Sequence, residues 1–330
     1  MPAAPILSVI VPVKNEEVAI ENFVARVSAV IRHLADPIAQ SYEILFIDDG
    51  STDGTRAAIL AASKTAPQVR AISLSRNFGK EAALSAGLDH ARGAAVVPMD
   101  VDLQDPPEVL GEMIAKWRSG FDTVYGVRRS RASDSFAKRV SADLYYKTHN
   151  FLSSNKIPNH AGDFRLLDRR VVDVLRKLPE RNRFMKGLYA WSGFKHTSVE
   201  YDRVERTLGE TKFNPWKLWA LAVDGITSTS TVPLRIWAYV GSLVAGISFL
   251  YALFIIAKVL VLGISAPGYA SLMVAILFFG GLQLLSIGIL GEYVGRIMIE
   301  TKQRPLYVVQ ETIGMTDDTG TQATAQLGDA

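Results

Sequence analysis

The chain has 330 residues, 48% of them hydrophobic and 21% charged, a balance that suits a protein part soluble and part membrane-embedded better than an ordinary soluble enzyme. It has no cysteine, which excludes disulfides, thiolate metal sites and cysteine nucleophiles. The net charge of +3 is modest, so any basic partner surface must be local and no nucleic-acid partner is expected.

The opening "MPAAPILSVIVPVKNEE" has no basic flank before its short apolar run, so it reads as a first strand and not as a signal peptide. "NEEVAIENFVARVSAVIRHL" follows with helical periodicity, and acids in its first turn complement the helix dipole. "SYEILFIDDGSTDGT" reads as a strand ending in a turn, and "RAAILAASKTA" as a helix. "VRAISLS" is a third strand, "KEAALSAGLDHA" a helix and "GAAVVPMDVD" a fourth strand. This alternation predicts an α/β fold with a parallel sheet covered by helices on both faces. Ligands of such sheets bind at the carboxyl ends of the strands. Three of those ends carry polar sets that should converge on one crevice: Lys14 to Glu17, Asp48 to Asp53, and Asp100 with Asp102.

Asp100, Asp102 and Asp105 fall within six positions after an apolar strand. Clustered carboxylates repel unless a cation joins them. Oxygen donors without nearby His or Cys suit Mg²⁺ or Mn²⁺, which keep waters and accept phosphate oxygens as further ligands. The set therefore reads as a metal and diphosphate site, with Asp105 expected to cap a helix starting near Pro106. P-loop, dinucleotide-binding, zincin and nucleophile-elbow motifs are absent, and the five histidines are scattered.

Beyond the acidic set, "GVRRSRASDSFAKRVSADLYYK" is basic, and Arg128 and Arg139 become candidates for an acceptor phosphate, because guanidinium groups bind phosphates bidentately. "TKFNPWKLWALAVDGITSTSTVPLRIW" places Phe213, Trp216, Ala220 and Val223 on one side at helical spacing, beside Lys212 and Lys217. It reads as a helix lying in a membrane interface. No charged residue occurs from Ile236 to Ala257 or from Val259 to Gly291, with a break at "GISAPGY". Each arm is long enough for a hydrocarbon core of roughly 30 Å, so two spans are expected, near Ile236–Leu262 and Tyr269–Leu290. Arg235, Arg296, Lys302 and Arg304 flank the outer ends and the turn carries no Lys or Arg, which puts both ends in the cytoplasm. The expected organisation is a catalytic domain over 1–212, an amphipathic segment over 213–232, a transmembrane hairpin over 233–292 and a tail over 293–330. The polar end after Gly314 is expected to be disordered.

"VIVPVKNEE", "FIDDGSTDGT", "SLSRNFGKEAALSAGLDHARG", "PMDVDLQDPPE", "AGDFRLLDRR", "RNRFMKG" and "TLGETKF" occur in that order. Together they resemble family 2 glycosyltransferases of the GT-A (Rossmann-like) fold, and more narrowly the bacterial polyprenyl-phosphate (bactoprenol) glycosyltransferases, relatives of dolichyl-phosphate mannose synthase. The resemblance implies a cytoplasmic catalytic domain on a multi-pass protein of the bacterial inner membrane, with a nucleotide-sugar donor, a polyprenyl-phosphate acceptor and a homotetrameric assembly. It implies that Pro12, Glu16 and Asp48 hold the base and ribose, that Arg206 and Lys212 reach the donor diphosphate, and that Asp49 and Asp100 also bind the donor. The metal would be bound chiefly by Asp102 and Gln104, with Asp100. Asp163 and Asp102 would be catalytic, with Asp163 near an acceptor phosphate held by Arg128, Arg139 and Arg165. Many relatives have Tyr where this chain has Lys14, which leaves the contact made there open. Glucose from UDP-glucose is the first-choice donor, with aminoarabinose, N-acetylhexosamine and mannose donors as alternatives. Two rival readings are a processive polysaccharide synthase, whose Q-x-x-R-W segment is missing here, and a silent nucleotide-binding membrane scaffold, against which the intact acidic set argues.

Overall fold

A computed structural model describes residues 5–129, 161–202, 232–262 and 268–315. Eight strands form one sheet. They are β1 (Leu7–Val13), β2 (Tyr42–Asp48), β3 (Val69–Leu74), β4 (Ala95–Pro98), β5 (Thr123–Arg128), β6 (Ala161–Asp168), β7 (His196–Tyr201) and β8 (Val309–Ile313). The helices are α1 (Ala19–Arg32), α2 (Thr55–Thr65), α3 (Lys80–His90), α4 (Leu110–Arg118), α5 (Arg169–Lys177), α6 (Met185–Trp191), α7 (Val232–Leu262) and α8 (Tyr269–Lys302).

The strand order is β7-β5-β6-β4-β1-β2-β3-β8. The first four strands pair parallel, as their alternation with helices predicts. The whole sheet is nevertheless mixed and not purely parallel: β6 runs antiparallel to β4 and β5, and β8 antiparallel to β3. β8 belongs to the segment expected as a tail. Asp105 does not cap a helix, because a 3-10 turn at Pro107–Val109 precedes α4 and Pro106 stands at its cap position. The Asp105 carboxylate instead accepts the Tyr201 hydroxyl at 2.5 Å.

Successive strand residues point to opposite faces, which builds two cores. Val9, Val11, Ile44 and Phe46 pack beneath α1, whose Ile20, Phe23, Val27 and Ile31 recur at helical spacing and are buried. Ile10, Leu45, Ile47 and Ile72 pack against Ala83 and Leu84 of α3 and Val171, Val172 and Leu175 of α5. Each large side chain fully buried here contributes about 1.5–3 kcal/mol. Because both faces are covered, the crevice left for a ligand lies along the carboxyl ends of β1, β2, β3 and β4.

Both apolar arms are helices, α7 over 31 residues and α8 over 34. Among the described residues only Phe278–Lys302 is long and apolar enough to cross a bilayer, with Tyr239–Tyr251 a shorter apolar stretch. The expected span near Ile236–Leu262 is therefore present as helix but does not meet that test among the described residues, and the qualifying stretch overlaps the expected Tyr269–Leu290 with its end shifted to Lys302. Leu243, Leu253, Leu260 and Leu284 stand exposed along these helices. An apolar surface of that kind needs a non-aqueous neighbour.

Candidate active site

The crevice is built by stitching three strand ends together. Register places Pro12 beside Ile47 and Val13 beside Asp48. After β1 the chain turns through Asn15, a left-handed position (φ 55) that Asn tolerates better than bulky residues do. The Asn15 N–H donates to Ser51 Oγ (3.0 Å), and its Oδ1 accepts from Thr52 N–H (2.8 Å). The Glu16 N–H donates to Thr55 Oγ1 at 2.8 Å. Asp48 is buried, and its Oδ1 accepts from Ser51 N–H at 2.9 Å. Asp49 is also buried; its two oxygens accept from Phe78 N–H (2.7 Å) and Gly79 N–H (2.9 Å), which fixes the loop after β3. Next in the chain, Gly50 sits at φ +67, and a Cβ there would lie 2.6 Å from the Arg76 carbonyl carbon. Only glycine lets these two loops approach so closely. Pro12, Glu16 and Asp48 thus share one rim, while both oxygens of Asp49 are engaged in holding it.

Lys80, the first residue of α3, lies at the centre. Its Nζ is 2.7 Å from Asp100 Oδ1 and 3.3 Å from Asp163 Oδ2. Burial pulls the Lys80 pKa down, but Asp100 and Asp163 outweigh it and the ammonium is held above its ordinary value. Burial likewise opposes ionisation of Asp163, yet Lys186, Lys80 and Arg165 hold its carboxyl below the usual value. Glu81, one residue on, is pushed up to about 7 by burial and then by Asp163, against the pull of the Met185 N–H that its Oε2 accepts at 3.1 Å. A cavity of about 70 Å³ opens at this cluster, lined by Asp100, Asp105, Arg128, Asp163 and Lys186.

The structure therefore brings Asp100, Asp163 and Arg128 together. Arg165 lies behind them: it is buried, donates to the Gly162 carbonyl and stacks 3.9 Å over the Tyr189 ring. That placement suits supporting Asp163 electrostatically more than meeting a phosphate. Arg139, Arg206 and Lys212 lie outside the described residues. Lys80, Glu81 and Lys186 were not anticipated. Lys80 carried a readable signal: a cation in the first turn of a helix opposes the macrodipole and calls for an anionic partner.

For a cation, Asp100, Asp102 and Gln104 offer oxygen donors only. Asp102 Oδ1 accepts from Gln104 N–H at 3.2 Å, closing a tight turn through Leu103 at φ 53. Among the described residues no three His, Cys, Asp or Glu side chains group as a metal cage. Two carboxylates and an amide oxygen still fit a hard cation that keeps water and phosphate oxygens in its shell.

The Glycosyl transferase family 2 model matches residues 8–176, which include every strand end of this crevice. The chain belongs to that family. It is a glycosyltransferase of GT-A fold, and a second model, the GtrB C-terminal hairpin, matches residues 232–297. Among similar proteins, an uncharacterized glycosyltransferase of Synechocystis, sll0501, is 49% identical over 94% of this chain and 96% of its own length. The prophage bactoprenol glucosyl transferase homolog of Escherichia coli K12 is 50% identical, covering 92% of this chain and 98% of its own. The bactoprenol glucosyl transferase of Shigella phage SfII is 51% identical, covering 93% and 98%.

Proposed function

We propose that this family 2 enzyme transfers glucose from UDP-glucose to the phosphate of a polyprenyl phosphate, with inversion at the anomeric carbon, at the cytoplasmic face of a bacterial inner membrane. The observation that carries the reading is the Lys80-centred carboxylate cluster at the strand ends, in a chain that continues into a hairpin of the GtrB type. Relatives near 50% identity that bear the bactoprenol glucosyl transferase name support the choice of sugar and acceptor.

An acceptor phosphate oxygen attacks the anomeric carbon as the nucleoside diphosphate leaves. A phosphate monoester has a second pKa of about 6, so the nucleophile is already ionised near neutral pH and needs no strong base. Asp163, kept ionised by its cationic neighbours, then serves to orient Lys80 and Lys186 around the reacting phosphate. Arg128 and Arg139 take the acceptor phosphate, and Arg206 and Lys212 take the donor diphosphate. Asp102, Gln104 and Asp100 would hold Mg²⁺ or Mn²⁺, which when bound neutralises charge on the leaving diphosphate. Two crossing helices, a cytoplasmic catalytic domain and a homotetramer complete the reading.

The test is transfer from a panel of radiolabelled UDP- and GDP-sugars to undecaprenyl phosphate by the purified protein, with Mg²⁺, Mn²⁺ or a chelator. Metal-dependent label in the lipid phase from UDP-glucose is expected. Label from another donor would replace glucose, and none from any donor would end the lipid-acceptor reading. Because the chain lacks cysteine, single Ser265→Cys and Thr312→Cys variants report sidedness directly. Two spans expose the first on the periplasmic side of the inner membrane and the second on the cytoplasmic side.

A further inference from the structure

A second, larger cavity of about 540 Å³ lies between the loop after β3, the loop before α6 and the end of α8. Arg76, Lys80, Arg181, Lys302 and Arg304 line it, against one lining carboxylate, Glu81. Among the described residues, Arg181, Lys302 and Arg304 form no ion pair. Neighbouring Glu300 accepts the Arg181 and Asn182 N–H groups at 2.9 Å each, and even with its charge counted beside that of Glu81 the cations of the wall remain in excess. Those bonds also pin the wall of the cavity to the last turn of α8. Phe78, Phe184, Ile299 and Leu306 give the same cavity apolar sides.

We infer that this cavity is a docking port for the acceptor, receiving the phosphate head and the first hydrocarbon units of a lipid phosphate monoester from the bilayer before the head reaches Asp163. The inference rests on the lipid-phosphate reading above. Charge excess selects an anion, and the volume exceeds what a phosphate alone would fill. The apolar sides match a hydrocarbon stem. The port stands at the end of Phe278–Lys302, the stretch long and apolar enough to cross a bilayer, where basic residues meet headgroups. It also adjoins the site, since the Lys80 that lines it is ion-paired to Asp100 and Asp163, which line the smaller cavity.

The experiment compares wild type, the double variant Lys302→Glu with Arg304→Glu, and the rescue pair Lys302→Arg with Arg304→Lys. Both residues are exposed, so the fold should hold, and a thermal melt checks it. In neutral phosphatidylcholine vesicles the reversed pair should raise the KM for undecaprenyl phosphate at least about tenfold, leave the donor KM within twofold, and be rescued by the conservative pair. Arg32→Glu with Lys64→Glu, exposed and remote from the site, controls for net charge. An acceptor KM within twofold of wild type overturns the port. So does a defect confined to vesicles containing phosphatidylglycerol, which would make the surface a reader of bulk anionic lipid. Binding of undecaprenyl phosphate without donor, followed by native mass spectrometry, separates the two readings. Binding lost in the reversed pair, in a protein that transfers no sugar, would keep the port and sink the transfer reading. Unchanged binding and unchanged transfer in the reversed pair would do the opposite.

Discussion

Replacing Glu81 by Gln tests the electrostatics of the crevice most directly. Glu81 sits in the first turn of α3, half-buried, beside Asp163, with Oε2 accepting the Met185 N–H. Its carboxyl rises from an ordinary 4.5 to about 7. At about 1.4 kcal/mol per pH unit, holding it ionised in the native state costs up to about 3 kcal/mol. Below pH 4.5 the group is protonated in both folded and unfolded chains and contributes nothing. Between there and about 7 the unfolded chain releases its proton first, so the native state loses stability as pH rises, and above about 7 the loss is complete. Gln keeps an oxygen for the Met185 N–H and carries no charge. Its variant should melt with wild type in acid and several degrees above it near pH 8, given roughly 2–4 °C per kcal/mol for a domain of this size. Tryptophan fluorescence melts across that range read the difference. A pH-independent offset, or a variant less stable than wild type at alkaline pH, would refute the assignment of a strained carboxylate.

Glu43→Ala should destabilise the sheet by about 3–5 kcal/mol, because it strands the buried Arg70 guanidinium that Glu43 Oε2 meets at 2.7 Å; denaturant titration checks it. Burial opposes ionisation of Glu43, but bonds from Ser8, Arg92 and Arg70 hold its carboxyl below 4.5, so its stabilisation is present above that value and fades as pH falls through the lower folded one. Gly50→Ala, forced to φ +67 against Arg76 and Asn77, should cost about 1–3 kcal/mol and raise the donor KM more than the acceptor KM. Asp163→Asn should keep turnover within about tenfold near pH 8 and fail in acid as the acceptor phosphate dianion takes up a proton; a loss of about a thousandfold at every pH would make Asp163 an obligatory base.

The parallel half of the sheet was legible because β1 to β4 are buried on both faces and read as continuous apolar runs between amphipathic helices. The convergence of Asp48, Asp100 and the residues after Val13 followed from that topology alone. β5 to β8 were not legible in the same way. β7, "HTSVEY", alternates exposed and buried positions weakly, and β8 lies about 240 residues from the strand it pairs with, a partnership no local pattern encodes. Asp163 came from a resemblance, whereas its partners Lys80 and Lys186 depend on where α3 and α6 start, which only the packed helices reveal. Asp105 misled because an aspartate before two prolines looks like a cap, while the nearby Tyr201 hydroxyl competes for its carboxylate and wins it.

The last strand has a consequence for biogenesis. β3 would be an open edge of the sheet until β8 joins it, and the joined edge is held further by the Arg56–Glu311 ion pair and the Tyr307–Asp89 hydrogen bond. A ribosome must therefore finish both long helices before the sheet begun near residue 7 can close. Throughout that interval the nascent chain carries a largely apolar strand with one edge open, the feature that invites aggregation. Synthesis of the two helices must precede completion of the sheet, and a chain stopped short of residue 309 would lack the closing strand, however intact its acidic crevice.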